Sequence, residues 1–584
     1  MAGVVVVAAS AGPAQAVPAQ STGTTLATAT APKPASPRQE ITYFVGLTRD
    51  EGAAEKALRV VADPGSTGYR RFPDRQAIQQ KYGASAATVA RVRRVVERWN
   101  LTFALDETGV VGSISGRARN FTRWLGTPVL KRDAPPATSG TGVVYYSDVN
   151  TAPASLKGAV REFIPLDSQF DYRTLQLGGG VGIDPTPLQL PADNTGTPEG
   201  CQTQDPALSS AVYSYNELRH AYGVDQLDSS AEVGAATRMV ILSFGVGFGD
   251  ESLKASAECN SLPEVTFERV SVPGTSGPLP EAAGGGGEGD LDVQVAQSVL
   301  PQGSKVTVVE GSAHEASRGF LTWATAYSLP EVPDVVTTSY GGCESSEAAQ
   351  IGGRDLTLTQ SVLLRLALAG TSSFSAAGDS GSSACWNDDT QKGPEGLAVN
   401  YATSSPYLTA VGGSDLTLNA DNTRANEIVW NTTDGGKAGG GGGVSTLFDR
   451  PWWQPESDTR SKKRTVPDIT AHASSLPAWP LTQGSQIDPI SGTSASSPFL
   501  AASFAIIAAQ ERVAGRPPLG LLPPWLYQLQ KNDPTAFFDV VSGNNDLFDK
   551  GCCTAGPGYD EASGLGAPVL PLVAAQIPAP GSAP

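Results

Sequence analysis

The sequence predicts an α/β protein: a parallel sheet flanked by helices, preceded by a smaller α+β domain. Two observations carry this expectation. After residue 200, short β-branched runs recur at Met239–Leu242, Val306–Val309, Val335–Thr338, Ser372–Ala376 and Tyr407–Val411. Helical stretches lie between several of them, as at Leu291–Leu300 and Thr359–Ala369. Strands that alternate with helices pair in parallel and are covered on both faces, so their runs are apolar throughout. Before residue 170 the rhythm differs. Glu40–Leu47 reads as a strand, and Glu51–Ala62 and Ala87–Trp99 carry helical apolar spacing. Leu101–Leu105 and Val110–Ile114 flank the turn Asp106–Gly109 as a hairpin.

Composition sets the remaining boundaries. Residues 1–38 read as a signal-like segment and a Pro/Ala/Thr linker: Val4–Ala9 is a short apolar run, and Ala14-Gln15-Ala16 resembles a cleavage site. Residues 39–170 form the front domain, 171–204 a linker rich in Gly, Pro and Asp, and 205–584 the main domain. Such a linker is open to proteolytic nicking.

The 584-residue chain has 41 Lys plus Arg against 58 Asp plus Glu, a net charge of −17. That excludes nucleic acid or an anionic membrane surface as the main partner, because both attract basic patches. Three His starve any mechanism built on imidazole bases or ligands. The six Cys all follow residue 200. Their even number fits disulfides in an exported protein, with the pairing open. None has the C-x-x-C partner of a zinc site.

The chemistry-bearing segments come next. Ser491-Gly-Thr-Ser-Ala-Ser-Ser-Pro498 precedes an apolar helix spanning Phe499–Gln510. Ser494 near a helix amino end would meet the positive end of the dipole, which favours a developing oxyanion. A Ser hydroxyl needs a base, and none of the three His stands in an H-G-T context. Carboxylates are the other source. In Gly284–Leu300, Glu288 and Asp292 are four apart and share a helix face, while Asp290 points elsewhere. The stripe Leu291, Val295, Val299 would partly bury the pair, raising one pKa and letting the two share a proton. Asp379, in Gly378-Asp-Ser-Gly381, would stand at a strand's carboxyl end, where ligands of such sheets bind. Protonated, it could donate to an oxyanion. Each motif has an ordinary alternative: a capping loop, a solvated acidic face, a turn residue. Gly245-Val-Gly-Phe-Gly249 follows a strand but is not the G-x-G-x-x-G of a dinucleotide site.

Taken in order, Glu288, Asp292, Asp379 and Ser494 resemble the sedolisin family of serine-carboxyl peptidases, including kumamolisin-like enzymes. Ser404–Gly413, Gly441–Ser445, Arg450–Gln454 and Val466–Ile469 are similar to family segments too, and Asp63–Tyr69 to the activation prodomain. The resemblance implies a subtilisin-like sheet, a ferredoxin-like prodomain that inhibits the enzyme until it is cut, and acid-favoured peptidase activity in a secreted monomer. It implies that Ser494 is the nucleophile, Glu288 the base and Asp292 its orienter, that Asp379 binds the oxyanion, and that Ser339-Tyr340-Gly341 binds extended peptide. It further implies one Ca²⁺, held by Asp539, Asp560 and the carbonyls of Val540, Gly556 and Gly558, a hard oxygen cage suited to that ion. Ser243 and Tyr340 depart from kumamolisin-like members, which carry Glu and Trp there. The alternative reading is a non-catalytic secreted binding protein on the same scaffold.

Overall fold

The computed structural model describes residues 33–133, 143–147, 149, 151–164, 173–174, 212–273, 279, 287–311, 319–345, 353–387, 391–432, 436–455, 459, 461–483 and 486–581. The signal-like segment lies outside them, as do most of the 171–204 linker, Cys201 and His314.

The front domain is a four-stranded antiparallel sheet in the order Thr102–Leu105, Val111–Arg117, Glu40–Leu47, Val160–Ile164. Helices Glu51–Ala62 and Ala86–Glu97 follow the first strand in sequence, and Ala118–Leu125 precedes the last. Strand–helix–strand–strand–helix–strand with this order is the ferredoxin-like arrangement. The helix starts are legible locally: Asp50, Asp74 and Ser85 each accept a backbone N–H three residues on, supplying the caps that the first turns lack. Tyr43, Val45, Phe121 and Phe163 fill the domain's own core.

The main domain is built on an eight-stranded sheet. Thr266–Ser271, Lys305–Gly311, Met239–Phe244, Val335–Thr338, Ser372–Ala376 and Thr409–Leu418 pair in parallel, in that order. Ile469–His472 adds in parallel to Thr409–Leu418, and Arg424–Val429 adds antiparallel. Side chains alternate between two cores. Met239, Ile241, Val306, Val335 and Phe374 pack beneath the helices Glu288–Val299 and Thr493–Val513. Val240, Leu242, Phe244, Val309 and Val336 face Gly319–Tyr327 and Arg354–Leu368. Burial on both faces explains the unbroken apolar runs.

Three expectations shift. The helix expected from Leu291 begins at Glu288, and it is buried on every side rather than along one stripe. The helix expected from Phe499 begins at Thr493, which places Pro498 inside it rather than ahead of it. Within the predicted linker, Arg173–Thr174 forms a short strand against Tyr340–Cys343. Cys343 is bonded to Cys385, and the adjacent Cys552 and Cys553 to each other. Among the described residues no helix is long and apolar enough to cross a membrane.

Candidate active site

Two helix amino ends meet beneath the carboxyl ends of the central strands. Close backbone approach makes this possible. A Cβ on Gly289 would stand 2.4 Å from the carbonyl oxygen of Gly247, so only glycine lets the first helix turn seat there. Asp290 turns away from Glu288, as expected, and accepts the Gly249 N–H at 2.8 Å. At the second helix, Gly492 has φ +139°, a conformation open to glycine, and delivers Ser494 into the first turn.

Pro498 has a consequence here. A helical residue at 498 would donate its N–H to the carbonyl of residue 494, and proline has none. The Ser494 carbonyl is thereby released from the helix ladder, and Ser339 Oγ lies 3.2 Å from it. The same Ser339 hydroxyl donates to Asp292 Oδ1 at 2.6 Å. One short hydroxyl therefore joins the Ser494 helix, the Glu288 helix and the Tyr340–Cys343 strand.

Asp379 is fixed by the residue beside Ser494. Thr493 donates both its backbone N–H and its hydroxyl to Asp379 Oδ1, each at 2.9 Å, while Thr493 Oγ1 accepts from the Gly378 N–H at 2.9 Å. Neither Thr493 nor the hydroxyl of Ser339 was singled out from sequence for a supporting role. The position of Thr493 within Gly-Thr-Ser was the available signal.

All four candidate residues are buried, with Ser494 and Asp292 at 0% exposure and Glu288 at 2%. Burial is the main force on the acids. It lifts Glu288 well above the ordinary carboxylate range, and the charge of Asp292 adds to this. Nearby Ser494 opposes the rise and Asp379 reinforces it. Burial likewise pushes Asp292 up to about 8, against the stabilising hydroxyl of Ser339. The pair thus holds a proton well into the neutral range. Ser494 lies near enough to Glu288 to favour its charged form, yet no hydrogen bond within 3.5 Å joins them. Such catalytic contacts commonly tighten only once substrate is bound.

No described histidine competes for the role of base. The ring nitrogens of His472 engage the Leu416 N–H and the Pro477 carbonyl, and burial lowers its pKa to about 4. His220 pairs with Asp225 at the surface.

Tyr340–Cys343 sits between Arg173–Thr174 and Asn400–Tyr401, antiparallel to both. Its far end is tied down by the Cys343–Cys385 bond and by buried Glu344, which accepts from Ser445 Oγ at 2.6 Å and from the Thr446 N–H at 2.7 Å. Tyr340 turns its ring inward against Phe244, and its hydroxyl lies 3.5 Å from Ser243 Oγ. Ser243 and Tyr340 therefore lie against each other.

The carboxyl-terminal acidic segment folds as one loop cluster. Gly558 N–H donates to Asp539 Oδ2 at 2.8 Å, and Gly556 N–H to Asp560 Oδ2 at 3.0 Å. Ser563 Oγ lies 3.3 Å from the Val540 carbonyl. Burial raises the pKa of Asp560. Neither Asp539 nor Asp560 has a basic partner among the described residues. Two carboxylates without a basic partner in Gly-rich turns fit a hard cation of calcium's preference, with Asp560 also accepting the Ala562 and Ser563 N–H groups. Cys552, Cys553 and Glu561 also cluster, but the two sulfurs are bonded to each other and offer no thiolate.

Comparison with known proteins agrees with this geometry. Residues 27–168 match the family described as "Pro-kumamolisin, activation domain". Kumamolisin of Bacillus sp. (strain MN-32) is 29% identical over 526 residues, 87% of each chain. Human tripeptidyl-peptidase 1 is 30% identical over 308 residues, 49% of this chain and about half of that protein, at 51%. Among solved structures, Pseudomonas sedolisin, a serine-carboxyl proteinase, aligns with a TM-score of 0.55 at 24% identity. It covers 63% of this chain and 98% of its own, a likeness of fold. An activation domain in front, a kumamolisin relative along most of the length and a sedolisin-like sheet behind together support a sedolisin-family peptidase with an N-terminal prodomain.

Proposed function

We propose that this peptidase zymogen is exported and hydrolyses peptide bonds at acidic pH through Ser494, Glu288 and Asp292. The observation that supports it most is the convergence of a buried serine and two buried, proton-sharing carboxylates where no described imidazole is free. Ser494 Oγ attacks the substrate carbonyl and passes its proton to Glu288, which later returns it to the leaving amine. Asp292, anchored by Ser339, holds Glu288 in place and takes part of its charge. Asp379, held by Thr493 and protonated, donates to the oxyanion. A carboxylate base keeps working below neutrality, where an imidazole would be protonated. Substrate adds as an extended strand to Ser339-Tyr340-Gly341, reading by backbone hydrogen bonds.

Purified full-length protein held at about pH 4 should shed its front domain, and Ser494→Ala should not. Equal processing by both would sink the autocatalytic reading. Turnover of a fluorogenic peptide then separates a peptidase from a binding protein on the same scaffold.

Ca²⁺, when bound by Asp539, Asp560 and the carbonyls of Val540, Gly556 and Gly558, cross-links this loop cluster. Excess calcium at about 100 times its Kd should add about 2.7 kcal/mol of stability. Chelation should lower the thermal midpoint of the wild type by several degrees, and Asp560→Ala should remove that response. A chelator effect that persists in Asp560→Ala places the ion elsewhere.

A further inference from the structure

We infer that the mature enzyme carries a docking site for an extended, arginine-bearing segment of a protein substrate, at the end of the sheet away from Ser494; the inference rests on the peptidase reading above. What fills the site before maturation defines its chemistry. Between the end of the helix Glu51–Ala62 and the first turn of the helix Arg75–Tyr82, the front domain sends Arg70, Phe72 and Arg75 into the main domain. The Arg70 guanidinium, 1% exposed, is surrounded by acceptors. Its Nε donates to the Pro518 carbonyl at 3.0 Å and Nη1 to the Pro578 carbonyl at 3.0 Å. Its Nη2 donates to Glu511 Oε2 at 2.9 Å and to the Pro517 carbonyl. Arg75 Nη1 donates to the carbonyls of Tyr327 at 2.8 Å and Leu329 at 2.6 Å, and Nη2 to that of Pro330 at 2.9 Å. These carbonyls close the helix Gly319–Tyr327, at the negative end of its dipole. Phe72 lies between the two sockets, packed near Leu364, Leu368 and Leu521. A Cβ on Gly370 would stand 2.9 Å from its ring, and one on Gly520 closer still, so two glycines shape the aromatic seat.

The seats belong to the main domain and remain when the front domain leaves. The socket acceptors are main-chain carbonyls and one carboxylate. The rings of Pro330, Pro517, Pro518 and Pro578 stiffen the chain that presents them. Arg516 keeps its bond to Glu511 Oε1 at 2.8 Å, which leaves Oε2 to an incoming group. Acceptors spread around a planar fork select guanidinium over ammonium. The partner is therefore a segment with arginine, an aromatic two residues on and a second arginine three further.

Position separates this site from the cleft. Gly370 and Pro330 precede the strands Ser372–Ala376 and Val335–Thr338, whereas Asp379 and Ser339 follow them. The docking site is thus at the amino ends of the strands and the catalytic centre at the carboxyl ends. Five residues of strand, about 17 Å, lie between them. A segment held here touches no reacting atom. It raises the local concentration of the rest of a long substrate around Ser494.

The probe is a labelled peptide of residues 67–76, followed by fluorescence anisotropy against acid-processed protein freed of its front domain. Turnover of a short fluorogenic peptide confirms that this protein is folded. The probe should bind, and Arg70→Lys, Phe72→Ala or Arg75→Lys within it should each weaken binding about tenfold or more. Full-length Ser494→Ala, whose site holds its own front domain, should not bind it. Joined to the fluorogenic peptide through about 40 Gly/Ser residues, which span roughly 35 Å, the segment should lower KM about tenfold with kcat unchanged. Free probe should abolish that gain and leave the short substrate unaffected. No binding to protein that cleaves the short substrate, or binding with no change in KM, overturns the docking site and leaves the peptidase reading standing. Competition with the short substrate also overturns it, because the segment then sits in the cleft. Protein that neither sheds its front domain nor cleaves the short substrate overturns the peptidase reading itself, and the docking site with it.

Discussion

Glu288→Gln should lower kcat by about 10³-fold or more, because the variant keeps the shape of the base and loses its basicity. The same substitution should stabilise the folded protein at neutral pH. The sign follows from burial. Glu288 is lifted well above its ordinary range in the fold and is ordinary in the unfolded chain. The folded state therefore holds its proton to higher pH, and wild-type stability falls as pH rises above about 4.5. Asp292, pushed up to about 8, adds to that fall across the same window. Glutamine carries no charge to bury, so the variant should gain on the wild type as pH rises and match it near pH 4. Thermal midpoints across pH, measured beside kcat, test both halves. A variant that is inactive but equally pH-sensitive would mean that Asp292 alone carries the burial cost. A variant with retained turnover would remove Glu288 as the base.

Much of this site is legible in the sequence because its signals are local. Glu288 and Asp292 share a helix face by spacing alone, and the Gly run ahead of them permits close approach. Glu51–Ala62 is bounded by its own cap and is found with the expected ends. What the sequence conceals is set by contacts between distant segments. Nothing near Leu291 tells that the Thr493–Val513 helix and the strand Trp479–Gln483 will close over its far side, yet Gln294 bonds Thr482 in both directions, at 2.8 and 2.9 Å. A one-faced stripe therefore became a fully buried helix. Pro498 shows the opposite case: a local rule sets proline ahead of a helix rather than inside it, and the partner that compensates for the lost bond is Ser339, some 160 residues earlier. The docking of Arg173–Thr174 was hidden likewise, since its composition is that of a linker and its order comes from the strand it meets.

Glu51→Ala should release the front domain near neutral pH, where the wild type stays latent. Glu51 reaches from the front domain to Arg365 on the helix Arg354–Leu368 of the main domain. Arg49 also bonds it, at 2.5 Å, and in turn bonds Glu162 at 2.7 Å. Ser361 donates to Glu51, and neighbouring Glu55 accepts from Tyr407 at 2.7 Å. Arg365 and Arg49 are fully buried, so both need an anion beside them. Removing one partner of a buried pair costs about 3–5 kcal/mol, because it strands the other charge. That would weaken the closed state by roughly 10²–10⁴-fold. The prodomain's own core, around Tyr43, Val45, Phe121 and Phe163, does not include Glu51 and should still fold. Acid acts on the same contact. Burial alone would raise the pKa of Glu51, but Arg365, Arg49 and Ser361 together outweigh it and hold the carboxyl below its ordinary 4.5. A depressed carboxylate contributes its stability above the ordinary value and loses it as pH falls through the folded one. The clamp therefore weakens as pH falls below about 4.5, where the Glu288–Asp292 pair, whose shift has the opposite sign, already gives the core nearly its full stability. Shedding followed against pH should show the wild type rising steeply only in acid and Glu51→Ala already released near neutrality. Superimposable pH curves for the two would place the latch elsewhere, with the Arg70–Glu511 contact at 2.9 Å the next to test.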